Sequence, residues 1–235
     1  MRFDPPLVAG TLVRRYQRFL ADVTLADGRT VTAHCPNTGS MLGCAEPGSP
    51  VWLSPAVRPG RRCAWTWELV EPAPGVRVGL HTGRSNHLVR EAIERGVIPS
   101  LSGYTRIRHE VRYGEGSRID LLLEADTRPP CYVEVKNVTA AVRGGVALFP
   151  DAVTARGARH LAELEAEVGR GNRAVMCFCV QREDVREVRP ADQIDPAYGR
   201  ALRRALAAGV EAMAWRARVS PEGIALDTAL PVVCP

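Results

Sequence analysis

The feature that most constrains the fold is a change of hydrophobic period near residue 84. Before it, apolar residues alternate in short runs broken by Pro and Gly. "FLADVTLADGRTVTAHC" holds two such runs around Asp27-Gly28, a pair that favours a tight hairpin turn. "GSPVWLSPA" and "RRCAWTWELVE" supply further short strands, and no helical pattern intervenes. After residue 84, "SNHLVREAIERG" places Leu88, Val89, Ala92 and Ile93 on one helical face, between a Ser/Asn start signal and a closing Gly96. Strand-like runs "YTRIRHEVRY", "SRIDLLLEA" and "CYVEVKNVT" follow, joined by "GEG" and "DTRPP". A helix is predicted over 153–168, with Leu161, Leu164 and Val168 on its apolar side. "RAVMCFCVQ" reads as a buried strand, "PAYGRALRRALAAG" as a helix and "VEAMAWRARV" as a last strand. The order αβββαβαβ predicts a mixed sheet flanked by helices.

Two units result: residues 1–83 as a small barrel of the OB kind, and 84–235 as a mixed α/β domain. A chain of 235 residues with 46% hydrophobic residues can build both cores. The net charge of +5 permits a polyanionic partner without requiring one. Seven cysteines, with no C-x-x-C pair, fit neither a zinc site nor a disulfide framework, so reduced thiols are expected. No signal-peptide pattern or long apolar span occurs, which predicts a cytoplasmic protein with no membrane partner. Phosphate-loop, dinucleotide and serine-nucleophile motifs are absent from the sequence.

A single lysine stands among thirty-one Lys and Arg residues, and it is Lys136 in "CYVEVKNVT". Alternate residues of a strand face opposite sides, so Glu134 and Lys136 share one face while Val133 and Val135 share the other. Charges on an otherwise apolar strand are costly to bury without partners. Asp120, in "SRIDLLLEA", comes to lie opposite Glu134 if the hairpin closes through residues 125–130. Two carboxylates within about 4–6 Å raise each other's pKa unless a cation separates them. Mg²⁺ typically takes one or two carboxylates together with water and substrate phosphate. The pattern therefore predicts Mg²⁺ or Mn²⁺ held by Asp120 and Glu134, with Lys136 aimed at a phosphate or the attacking water. A lysine ammonium is compact and tunable where arginine is planar and permanently charged, which accounts for one Lys in an Arg-rich chain. The competing reading is a solvated Glu134–Lys136 pair of little consequence.

The arrangement Asp-x₁₃-Glu-x-Lys across a hairpin, after a helix and before an αβ unit, resembles the PD-(D/E)xK nuclease superfamily. That resemblance implies that Asp120 and Glu134 are metal ligands, that the Val135 carbonyl offers a third, and that Lys136 is the catalytic cation. A carboxylate from the leading helix often joins such a site; Glu91 is the candidate, set against a solvated helix residue. "HCPNTGSM" at 34–41, "WEL" at 67–69, "SRID", "CYVEVKNVT", "FPDAVTARGARHL" and the closing "LP" are similar to the sugar fermentation stimulation protein A family over nearly the whole chain. This second resemblance implies an OB-like domain joined to a nuclease-like domain, with non-sequence-specific DNA as partner. The alternative it leaves open is a catalytically silent DNA-binding regulator of sugar (maltose) metabolism genes. A hydrolase of a small phosphorylated molecule is a third reading. Monomer and homodimer are equally compatible with the sequence.

Candidate DNA contacts come from basic and polar clusters. "RRYQRF" interleaves Arg14, Arg15 and Arg18 with Tyr16, as backbone-tracking and base-stacking groups do in OB-type binders, while Phe19 is expected in the core. "RPGRR" at 58–62 adds Arg61 and Arg62. Asn37 and Thr38 sit in a polar loop that could contact a nucleotide near the metal or simply form a turn. Arg156 and His160, four apart on one helical face, are candidate phosphate contacts. Asp151 is expected to cap the helix they belong to. The alternative of a helix-turn-helix at Gly209 is disfavoured, because a strand pattern follows it.

Overall fold

The computed structural model describes residues 1–235 except 57–59, 115 and 143. Arg58 and Pro59 of the basic loop, and Glu115 of the "GEG" connection, lie outside the described residues. The first unit contains β1 (Val8–Tyr16), β2 (Leu20–Leu25), β3 (Thr30–His34), β4 (Pro50–Pro55), β5 (Trp65–Ala73) and β6 (Val76–Gly79). The strands run β3-β2-β1-β4-β5-β6, and a parallel pairing of β3 with β5 closes the first five into an OB barrel. Gly28, at φ +83, turns the predicted β2–β3 hairpin. Inward-facing Leu12, Val23, Leu53 and Trp67 fill the barrel, each 2% exposed or less.

The second unit contains α1 (Ser85–Glu94), β7 (Arg106–Tyr113), β8 (Ser117–Ala125), β9 (Arg128–Val138), β10 (Ala141–Val142) and β11 (Val146–Phe149). It continues with α2 (Ala155–Gly169), β12 (Arg173–Val180), β13 (Glu187–Pro190), α3 (Pro196–Ala207), β14 (Glu211–Ser220) and β15 (Gly223–Leu230). The main sheet runs β15-β14-β12-β9-β8-β7, with β9, β12 and β14 parallel and the outer strands antiparallel. The expected elements of this unit are all present; β15 and a small sheet of β10, β11 and β13 are additions here, as β1 and β6 are in the barrel. Leu88, Val89 and Ile93 of α1 pack on one face of the sheet against Val133, Val175 and Cys177. Leu161 and Leu164 of α2 and Leu202 of α3 pack on the other against Met176 and Phe178. Burying these large apolar side chains stabilises the domain by about 1.5–3 kcal/mol each. All seven cysteines are free, and all but Cys234 are buried.

The units are welded at the start of α1. Glu68 of β5, 2% exposed, accepts from Arg84 at 2.5 and 2.7 Å and from Ser54 at 2.7 Å. The Gly79 amide donates to the carbonyl of Gln181 at 2.8 Å, and a Cβ at Gly79 would collide with the Gln181 amide group. This weld sets the barrel loop 34–41 beside the C-terminal end of β9.

Candidate functional site

Strands β8 and β9 pair from Leu123↔Cys131 to Leu121↔Val133. The next position in that register would set Asp120 opposite Glu134, and there the ladder stops. Instead, Asp120 Oδ2 accepts the Val135 amide directly at 2.7 Å, so a carboxylate takes the donor that a ladder bond would have used. Across β7, Glu110 adopts φ +50 beside the same gap in pairing. The strands separate, and a cleft of about 340 Å³ opens, lined by Asp120, Glu134, Val135, Lys136, Asn86, Arg156 and His160 among others.

Asp120 and Glu134 are each held by a side chain from a helix outside their own strand. Asn86 of α1 donates to Asp120 Oδ1 at 2.8 Å. Glu134 Oε1 accepts from Lys136 Nζ at 2.6 Å and bonds His160 Nδ1 of α2. Arg156 Nε donates to His160 Nε2 at 3.2 Å, which makes that nitrogen the acceptor and leaves Nδ1 to donate to Glu134. Glu134 is 2% exposed, and its second oxygen, Oε2, is buried without a hydrogen-bond partner. Burial pushes the Asp120 carboxyl up to about 6, the Glu134 charge adds to this, and the Val135 and Asn86 donors offset part of it. Burial acts upward on Glu134 too, but the His160 hydrogen bond and the Lys136 charge outweigh it and hold that carboxyl below its ordinary range.

These features fit a hard divalent cation. Two carboxylates converge, one kept ionised by its neighbours and the other destabilised as an anion, and an unpartnered buried oxygen remains. No set of three or more His, Cys, Asp and Glu side chains is grouped for metal binding among the described residues. The donor set is thus the sparse one that Mg²⁺ tolerates, with water completing its shell.

Several expected residues fall elsewhere. Glu91 is not beside Asp120: it pairs with the amino group of Met1 at 2.5 Å and with Arg95 at 3.1 Å. Glu91 lies five positions after Asn86, about 140° around a helix, so only one of them can face the cleft. Arg15 spans inward to the carbonyls of Arg18, Asn37 and Gly39 at 2.7–3.1 Å, and Arg18 holds the Thr38 carbonyl. Asn37 is 4% exposed and His160 2%, so both brace the protein where outward contacts were expected. Arg14 pairs with Asp22 at 2.8 Å and lies over the Tyr16 ring, whose hydroxyl donates to the same Asp22. Phe19 is exposed rather than core, because Gln17 and Arg18 at positive φ turn the chain just before it. Arg61 donates to Thr66, and Arg62 is exposed. Thr154, not Asp151, caps α2, accepting from the Gly157 amide at 2.9 Å. Asp151 faces the barrel loop, accepting from Ser40 at 3.3 Å.

Sequence reasoning missed Asn86, Asn137, Ser85 and Gln181. Asn137 Oδ1 accepts from Ser85 Oγ at 2.9 Å and Gln181 Nε2 at 2.6 Å. The available signal for Asn137 was its place beside Lys136 in "VKN"; Ser85 and Asn86 stood out only as a helix start in "RSN", and Gln181, after "CFCV", carried none.

Comparison with known proteins covers the chain almost end to end. The model of the sugar fermentation stimulation protein RE domain matches residues 83–223, and that of the SfsA N-terminal OB domain matches residues 13–80. The sugar fermentation stimulation protein homolog of Alkalilimnicola ehrlichii is 61% identical over 238 residues, covering 100% of both chains. The Geobacter sulfurreducens homolog is 61% identical over 228 residues, covering 97% of each. A solved structure described as Pyrococcus furiosus SfsA in complex with Ca²⁺ matches with a TM-score of 0.88 at 29% identity, over 99% of this chain and 98% of that one. No helix among the described residues is long and apolar enough to cross a membrane.

Proposed function

The chain belongs to the sugar fermentation stimulation protein family, and from the site just described we propose that it is a divalent-metal-dependent nuclease acting on DNA without sequence preference. The observation that carries this reading is the division of labour on Glu134. One oxygen is held by Lys136 and His160, and the other is buried and unpartnered, on a carboxylate whose charge acts on Asp120 in the same cleft. A solvated surface pair would have no reason to bury a carboxylate and leave half of it unsatisfied. The solved Pyrococcus furiosus relative is described as a Ca²⁺ complex, which supports a divalent cation in this family.

Asp120 and Glu134 would hold Mg²⁺ or Mn²⁺, which supplies Lewis acidity toward a phosphodiester and lowers the pKa of water. Asn86 and the Val135 amide fix the Asp120 carboxylate in one orientation. His160 fixes Glu134, and Arg156 fixes His160 in the tautomer that donates to it. Lys136, partly exposed in the cleft, is the group that would orient the attacking water or neutralise charge on the phosphate. Exposed Arg18, Arg62 and Arg156 supply cations for a nucleic-acid backbone.

The test is degradation of labelled single- and double-stranded DNA and RNA with Mg²⁺ or Mn²⁺ by wild type, Lys136→Ala and Asp120→Ala, with binding followed across a salt series. Metal-dependent cutting by wild type, lost in both variants while binding persists, is expected. Salt-sensitive binding without cutting under any condition would replace the nuclease with the silent DNA-binding regulator.

A further inference from the structure

A second cavity, of about 350 Å³, adjoins the cleft. It is lined by the barrel loop at Asn37, Thr38 and Gly39, by Thr139, and by the segment Leu148–Thr154 that leads into α2. Thr82 and Asn137 line both cavities, so the two adjoin at these residues. We infer that this pocket receives one unpaired nucleobase, that of a nucleotide next to the phosphodiester held at Asp120 and Glu134. The inference rests on the nuclease reading above and names the form of substrate that the site takes.

The lining suits a base better than a phosphate. Leu148, Phe149 and Pro150 offer an apolar wall, and Phe149 is braced by Phe178 and Tyr198 at ring-centroid distances of 5.6 and 5.2 Å. Such braced aromatics are what splayed bases stack on, at about 1–3 kcal/mol per base. The lining is mixed in charge: Arg18 reaches it with its guanidinium on the Thr38 carbonyl at 3.1 and 3.3 Å. The Asp151 carboxylate disfavours a phosphate along the pocket's wall of residues 148–154 and can accept from the amino edge of a base. Val153, at the rim, is 76% exposed, more than any other large apolar side chain described, and an occupant would cover it. At about 350 Å³ the space lies at the small end of ligand pockets, enough for one nucleoside unit.

Asn137 marks the junction between base and phosphate. Its Oδ1 is fixed by Ser85 and by Gln181, which is fully buried and whose Nε2 also approaches the His81 carbonyl at 3.5 Å. With Oδ1 so engaged, Nδ2 has no partner among the described residues, on a side chain that lines both cavities. A preset donor pair there suits a phosphate or sugar oxygen. A base must leave the duplex stack to enter a concave pocket of this kind, so single-stranded or frayed substrate is favoured over intact duplex.

The experiment scans 2-aminopurine through a single-stranded oligonucleotide bound to the full chain in EDTA, where no cleavage occurs, with affinity read by anisotropy. One position should change its emission at least threefold on binding, apart from its neighbours. An abasic site at that position should weaken wild-type binding about tenfold, the loss of one stacked base. Ala152→Phe, at an exposed position lining the pocket, should abolish that change and make binding insensitive to the abasic site. DNA binding with no responsive position, or an unchanged response in Ala152→Phe, would overturn the base pocket alone. Absence of any DNA binding at low salt would overturn the nuclease reading itself and the base pocket with it.

Discussion

Asp120→Asn should stabilise the metal-free protein at neutral pH while removing the metal site. Burial, with the Glu134 charge behind it, raises the Asp120 carboxyl from 3.8 to about 6. At 1.36 kcal/mol per unit, keeping this carboxylate ionised costs about 3 kcal/mol relative to a solvated one. A raised carboxyl favours the folded state below its unfolded pKa, and that contribution is lost as pH rises toward the folded value. The cost is therefore absent below about pH 4, about half present at pH 5 and complete above pH 7. An amide has the same shape and no charge, and its oxygen can still accept the Val135 amide, so part of the cost is recovered. Allowing for a poorer bond to Asn86, the gain should be about 1–2 kcal/mol at pH 7.5, or about 3–6 °C in Tm for a chain of this size. Thermal unfolding in EDTA at pH 7.5, 5 and 4 measures it, and the gain should shrink steadily with acidification. A variant no more stable than wild type at pH 7.5, or a gain independent of pH, would refute the reasoning that the ionised carboxylate is held there at a cost.

Three further outcomes follow from single contacts. Arg84→Met strips Glu68 of both guanidinium bonds at a site where the carboxylate side chain is 1% exposed, so unfolding should ease by about 3–5 kcal/mol, and adding Glu68→Gln should recover part of it in the same denaturation assay. Gly39→Ala puts a Cβ inside contact distance of the Asp151 carboxylate; a loss of about 1–3 kcal/mol is expected, and Asp151→Ala in the same chain should relieve most of it. His160→Ala removes one of the two donors on Glu134 Oε1, and Mn²⁺ affinity by calorimetry should fall about 10–100-fold.

Much of the fold was legible because its periods are clean. Leu88, Val89, Ala92 and Ile93 recur at helical spacing and are all buried, and "CFC" alternates as a strand core must, with Cys177 and Phe178 on opposite faces of the sheet. β15 went unseen although "SPEG" before it is good turn chemistry, because Asp227 and Thr228 interrupt its short apolar alternation. At the site, spacing alone brought Asp120, Glu134 and Lys136 together, since a hairpin register fixes which residues face each other. The helix partner could not be read the same way: "SNHLVRE" offers Asn86 and Glu91, and only the docking angle of α1 decides which meets Asp120. His160 was noticed as polar and four residues from Arg156, yet it belongs to the buried stripe of Gly157, Leu161 and Leu164. A polar residue inside an apolar stripe has a buried partner, which here is Glu134.

The central claim is that Asp120 and Glu134 form one metal centre organised by Lys136 and His160. Mn²⁺ titration by calorimetry or electron paramagnetic resonance tests it most directly, on wild type, Asp120→Asn and Glu134→Gln without DNA. One ion per chain on wild type, lost in both variants while each remains folded, is the result predicted. Wild-type affinity retained in either variant would mean that the ion, if bound at all, is held elsewhere, and the account of the cleft would fall.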